Sequence, residues 1–413
     1  MKLKNLFGMA AMAALVLSGC SSDEVVENFS PENAIQFGTY IGHDAQSRVA
    51  EFTTGTMQKT GFGVFANYSG TQTGIEPNFM NNEDVHWTAN AEDATKGEWT
   101  YSPVKYWPNT ADHVVSFWAY APYSADNTKR ESLAPSFDIK DGVDFVAVAE
   151  PVKSAKQAVS ERVVFKLDHM MSRIGFKVEA IVDQLEHEKG DDGENDETGD
   201  DATNAIADKT KIVVTNVKLE GILDQEGSMT WEEDEDGSAD WALERTEATT
   251  STTYELTQDN FEGKNSYPCE WDYTQSKAKD YVTGKLVSKT KEQLNNKDSY
   301  WMVIPQEDKK IKITVVYNVI TEDTNLAKGY SNVENTVVSE EFDFTFERGK
   351  AYDFVLHLGL TSVKFEATVN NWNGTVNDVI VNVPINTEKT ESTTTPTTPD
   401  SGEGGQGFTG GQA

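Results

Sequence analysis

The chain has 413 residues, room for two or three domains, with 35 Lys and Arg against 68 Asp and Glu and a net charge of −33. That balance excludes nucleic acid as a partner, because phosphate contact demands a basic face. Hydrophobic residues make up 37% and aromatics 10%, too polar for a chain of membrane spans, and two cysteines exclude a disulfide framework and a cysteine-based zinc site.

Residues 1–19 read as a lipoprotein signal peptide. Lys2 and Lys4 precede an apolar run from Leu6 to Leu17 that is too short to cross a bilayer. It ends in Leu17-Ser18-Gly19-Cys20, which resembles the lipobox of bacterial lipoproteins. The resemblance implies a cut between Gly19 and Cys20, lipid on the Cys20 thiol and attachment to the outer membrane. An ordinary secretory signal with a chance cysteine is the alternative. Residues 20–33 form a tether, in which Ser21-Ser22-Asp23-Glu24 resembles a short acidic surface-export signal.

Ala34 to Ile41 follows as a strand with Ile35, Phe37, Thr39 and Ile41 on one face. A polar loop then leads to Arg48, the first arginine of the chain. The aromatic run from Trp99 to Tyr123 reads as core, with exposed rings stacking on sugars as the alternative. Val163-Phe165-Leu167 and Ile174-Phe176-Val178-Ala180 alternate with polar neighbours, as half-buried strands do. Residues 183–201, with ten acids, cannot bury enough surface to offset ordering, and 232–253 reads the same way, so both are expected as loops between strands. Glu232, Asp234, Asp236 and Gly237 fall roughly in the register of a calcium loop, but the twelfth position is Leu243, which favours a solvated acidic loop. Cys269 has no intrachain partner once Cys20 is lipidated and reads as a structural thiol.

Period-two strands return at Ile311 to Val319, Phe342 to Phe346, Tyr352 to Leu358 and Val363 to Val369, and Arg348-Gly349-Lys350 is short enough for a hairpin turn. One packed and one solvated face imply antiparallel sheets in sandwiches. The Thr- and Gly-rich residues 386–413 are expected as a disordered tail. No phosphate loop, no G-x-S-x-G elbow and no H-E-x-x-H is present, and the six histidines are scattered, with His357 expected on a solvated face. The chain therefore reads as no enzyme, with no cofactor and no metal.

Several pieces together resemble the fimbrillin family, the lipoprotein-derived subunits of type V pili. They are Trp99-Thr100-Tyr101 with Lys105-Tyr106-Trp107-Pro108, then Val115 to Pro122, Asp144 to Ala149, and Val163 to Ile174. Later come Trp301-Met302-Val303-Ile304-Pro305-Gln306, Phe346 to Tyr352, and Val369 to Trp372. The resemblance implies an all-β chain of two consecutive transthyretin-like β-sandwich domains. A boundary near residue 160 gives an N-terminal sandwich at 34–160 and a C-terminal one at 161–385 with acidic loop insertions, the stretch from Phe165 to Ile174 opening or bordering the second.

The resemblance also implies trimming by an arginine-specific protease, here between Arg48 and Val49. Losing Ala34 to Ile41 would expose an apolar groove that a neighbour's strand could fill. The candidate donor is Val379, Val381, Val383 and Ile385; the alternative is that these close their own domain. The expected function is a structural or accessory subunit of a surface fimbria involved in adhesion. Its partners would be other fimbrial subunits, the outer membrane through a lipid anchor, and a ligand on a host or bacterial surface. A surface lipoprotein that binds glycan without polymerising is the second reading. The hydrophilic tail departs from the stalk pattern, in which strand-forming residues sit near the terminus.

Overall fold

The computed structural model describes residues 33–41, 53–70, 77–93, 96–108, 113–129, 134–155, 162–181, 209–235, 238–359, 363–371 and 381–383. Strand dominates. β1 (Phe37–Ile41) precedes one short helix, α1 (Thr54–Thr60), then β2 (Phe62–Tyr68), β3 (Met80–Ala89), β4 (Gly97–Thr100) and β5 (Val114–Ala121). Next come β6 (Ser136–Lys140), β7 (Val146–Val148), β8 (Val152–Ala155), β9 (Val163–His169) and β10 (Ser172–Ala180). They are followed by β11 (Thr210–Gly221), β12 (Glu226–Glu233), β13 (Ala239–Thr246), β14 (Thr252–Thr257), β15 (Asn265–Asp272) and β16 (Lys277–Leu286). The last are β17 (Glu292–Gln293), β18 (Trp301–Val303), β19 (Gln306–Glu322), β20 (Tyr330–Val338), β21 (Phe342–Phe346), β22 (Lys350–Leu358), β23 (Val363–Asn371) and β24 (Val381–Val383).

These strands build an all-β fold of packed sheets around two main cores. An eight-stranded sheet, β1-β9-β7-β5-β2-β3-β4 with β8 on β5, faces a three-stranded sheet, β13-β12-β6. The first core joins Phe62, Phe117 and Phe165 of the larger sheet to Phe137, Trp231 and Trp241 of the smaller. Tyr120 of β5 and Phe137 of β6 stack with centroids 4.9 Å apart. The second core lies between a six-stranded sheet, β17-β10-β22-β23-β24 with β18 on β10, and a seven-stranded sheet, β15-β16-β11-β19-β20 with β14 and β21 attached.

The stretch from Phe165 to Ile174 spans the change of core. β9 buries Val163, Phe165 and Leu167 in the first, and β10 buries Ile174, Phe176 and Val178 in the second. The change is not final, because β12 and β13 return to the first core after β11 has joined the second.

Two expectations are corrected here. The stretch 232–253 is not one loop: β12 runs to Glu233, β13 spans Ala239–Thr246 and β14 begins at Thr252. The reason is the cross-strand pair Trp231 and Trp241, both buried, whose packing outweighs the exposed acids beside them. In the calcium register Glu232 pairs with Asp240 and Leu243 with Met229, so these positions belong to paired strands, while Asp236 and Gly237 lie outside the described residues. Arg348-Gly349-Lys350 is likewise not a hairpin turn. β21 pairs with β19 in one sheet, whereas β22 pairs with β10 and β23 in the other. Gly349, at φ +67°, turns the chain across the sandwich, and Arg348 leaves the corner to bind Asp240 at 2.6 Å and the Trp241 carbonyl at 3.1 Å.

His357 is not solvated as expected: its side chain, 19% exposed, is held between two carboxylates, Glu179 at 3.3 Å and Glu366 at 2.9 Å. Cys269 is a buried free thiol against Val213 and Ile320, and burial raises its pKa.

The seam between the cores is polar. Asp141, in the turn after β6, accepts hydrogen bonds from the Tyr254 hydroxyl of β14 and from the Ile304 amide at 3.0 Å. Asp224, 1% exposed, is held by Lys309 at 2.9 Å, Arg245 at 3.3 Å and the Ala248 amide at 2.9 Å. Gln306, also 1% exposed, bonds both the amide and the carbonyl of Asp224.

Burial pushes the Asp141 carboxyl up to about 6, with Asp224 adding in the same direction against the pull of its two donors. An acid whose folded pKa is raised takes up protons on folding, so its contribution is full below pH ~4 and is lost as pH rises through about 6. Asp141→Asn should leave stability unchanged near pH 4 and raise it at pH 7.5 by about 1–2 kcal/mol, discounted because the side chain is only half-buried. Urea melts of both proteins across that range check the sign.

Candidate assembly site

The first sheet ends in a strand held differently from the rest. β1 runs parallel to β9, in register from Phe37 with Val163 to Ile41 with Leu167. Just before β1, residues 33–35 pair with the segment Lys105–Trp107. The Ile35 amide donates to the Lys105 carbonyl and the Trp107 amide to the Asn33 carbonyl, both at 2.9 Å, and Ala34 bridges Tyr106. Tyr101 closes this edge by donating its hydroxyl to the Ile35 carbonyl at 2.9 Å, and burial raises its pKa strongly.

The floor beneath β1 is aromatic. Phe37, 1% exposed, stacks on Phe165 at 5.5 Å, lies 5.2 Å from Tyr101 and meets Phe62 and Phe117 edge-on at 6.3 and 6.1 Å. Ile35 and Ile41 fill the ends of the same slot, and Thr39 is half-buried between them. Burial of Ile35, Phe37 and Ile41 corresponds to roughly 5–9 kcal/mol before ordering costs. β1 is thus an edge strand of the first sheet, and its removal would leave an aromatic floor and one side of β9 without a partner.

At the far end of the chain, β24 pairs antiparallel with β23, Val381 opposite Ala367 and Val383 opposite Phe365. It forms an edge of the six-stranded sheet through three residues of its own chain. Gly19, Cys20, Arg48, Val49, Val379 and Ile385 lie outside the described residues, as do 183–201 and 386–413. The structure thus pairs Val381 and Val383 with their own sheet and does not bring them to the slot under β1.

Most of the aromatic run read as core is core: Trp99, Tyr101, Trp107, Phe117, Trp118 and Tyr120 are buried, while Tyr106 and Tyr123 are half-buried. Sequence reasoning missed that Tyr101, Phe117 and the Lys105–Trp107 segment form the bed of a terminal strand. The available signal was Tyr-Trp-Pro at 106–108, where a proline that cannot extend a ladder follows two large rings.

A family model described as fimbrillin-like matches residues 47–372. The chain is similar to fimbrium subunit Fim1C of Phocaeicola vulgatus, 25% identical over 430 residues, covering 94% of this chain and 100% of that protein. Among solved structures it is similar to a cell adhesion protein from Bacteroides ovatus, with 12% identity, a TM-score of 0.41, and 84% and 99% of the two chains covered. A fimbrial assembly protein from Parabacteroides distasonis gives 11%, 0.34, 84% and 98%. With the family model spanning most of its length, the chain belongs to the fimbrillin-like family.

Proposed function

We propose that this chain is a structural or accessory subunit of a cell-surface fimbria, assembled by exchange of strands between subunits and involved in adhesion. The observation that carries the reading is β1: an apolar edge strand over an aromatic bed, joined to the rest of the sheet through the residues that contain Arg48. In this reading the chain reaches the outer membrane with lipid on Cys20, after a cut between Gly19 and Cys20. Cleavage between Arg48 and Val49 then frees β1, and a neighbour's strand takes the slot. Val379, Val381, Val383 and Ile385 are the candidate donor. The three-residue pairing of β24 at an edge is a small barrier to giving that strand up. Each subunit would fill the next, a head-to-tail contact that does not close and so makes a filament.

N-terminal sequencing of assembled surface material tests this. A terminus at Val49 supports exchange, and Arg48→Ala should then abolish heat-resistant ladders on gels. A terminus at lipidated Cys20 throughout the polymer overturns exchange at β1.

A further inference from the structure

The slot under β1 makes two demands on any strand that fills it. The first lies in the backbone. The Val163 amide donates to the Gln36 carbonyl at 2.8 Å, so Gln36 turns its peptide groups toward β9. Directions alternate along a strand, so Gly38 and Tyr40, in register with Val164 and Lys166, turn their amides toward β9 as well. Odd positions face the other way: the Ile35 amide donates to the Lys105 carbonyl at 2.9 Å, and the Ile35 carbonyl accepts from the Tyr101 hydroxyl at 2.9 Å.

The second demand lies in the side chains. Ile35, Phe37 and Ile41 are buried and Thr39 is half-buried, so every odd position points inward. Phe37 fills the middle, its ring 5.2 Å from Tyr101, 5.5 Å from Phe165, 6.1 Å from Phe117 and 6.3 Å from Phe62. Those four rings come from separate segments of the chain, so the bed closes poorly on a smaller residue and a cavity remains.

The candidate donor of this chain meets neither demand. With Val379, Val381, Val383 and Ile385 laid on Ile35, Phe37, Thr39 and Ile41, a valine stands at the place of the central ring. Pro384 then falls on Tyr40, where it has no amide to give β9. Laid in the reverse direction, the strand still puts a valine, Val383, at the place of Phe37.

We infer that the slot takes its replacement strand from a different kind of subunit, one with an aromatic residue at the place of Phe37 and a residue other than proline at the place of Tyr40, a second copy of this chain being a poor donor. The inference rests on the exchange reading and narrows it to a mixed filament, in which two copies of this chain do not stand as donor and acceptor.

The intact chain gives the first test. Phe37→Val and Tyr40→Pro, which copy the two mismatches, should each lower the melting temperature by ~4 °C or more. An unchanged melting temperature in both overturns the inference. Exchange gives the second. A site for a specific protease is inserted after Arg48 of the full chain and cut, and labelled peptides are offered to the cut protein: residues 33–41, residues 377–385, and the latter with Val381→Phe and Pro384→Tyr. The first and the last should bind at least about tenfold tighter than the unsubstituted 377–385. Equal binding of 33–41 and 377–385, or no gain from the two substitutions, overturns the inference and leaves exchange standing. Uptake of none of these peptides overturns the exchange reading, and the inference with it.

Discussion

Phe37→Ala should lower the free energy of unfolding by about 3–5 kcal/mol, at the upper end for a single substitution. The ring is 1% exposed and touches Phe62, Tyr101, Phe117 and Phe165, which belong to different segments, so no single neighbour can move in to fill the space. Urea unfolding with an unchanged slope would report a loss of stability rather than of compactness. Val164→Ala is the control: it sits beside the same pairing on β9 but is 57% exposed, and should change stability by ~0.5 kcal/mol at most. The slot makes a second demand. A chain beginning at Val49 should melt early and be restored by a synthetic peptide of residues 33–41, whereas the same peptide with Phe37→Ala should fail. Equal rescue by both peptides would mean that the aromatic bed does not select its strand.

Trp241→Ala should cost a similar amount, about 3–5 kcal/mol. The indole is 4% exposed, donates to the Val148 carbonyl at 2.7 Å and meets Phe137 at 5.1 Å and Trp231 at 5.4 Å. Truncation therefore opens a cavity and also leaves a buried carbonyl without its donor. Because β12 and β13 are the cover that the second half lends to the first core, the loss should appear there selectively. Limited proteolysis should cut between β12 and β13 first, while amides of β19 and β22 keep their exchange protection. Uniform loss of protection across both cores would show instead that the two unfold as one.

The individual strands were largely legible. Alternation at Val163 to Leu167, Ile311 to Tyr317 and Phe342 to Phe346 marks the faces that are buried. What alternation does not carry is the partner. Arg348 to Lys350 has the length of a hairpin turn, yet the chain uses it to change sheets, because β22 finds β10 and β23 rather than β21. Acidity misled at 232–253, where two tryptophans on the inward face decide the structure and Glu232 and Glu233 merely occupy the outward one. Besides core strands, the family-like pieces supply corners and seams: Gln306 grips Asp224, Arg348 grips Asp240, and His169 pairs with Asp144 at 2.9 Å. The slot was half legible, since the β1 side chains could be read but its bed comes from residues far along the chain.

The late return of β12 and β13 also sets an order of events in time. A chain made from its N-terminus has all eight strands of the larger first sheet by His169, including β1 paired in parallel with β9. It still lacks Trp231, Trp241 and Ile304, so Phe137 and Phe145 stay uncovered. The first unit therefore does not finish folding before the second begins, and a nascent chain stalled near residue 181 carries a wet, adhesive core. Contacts of such long sequence separation are slow to form and leave apolar surface open to aggregation meanwhile. Any factor that keeps this chain soluble on its way to the surface must stay with it until β13 has emerged.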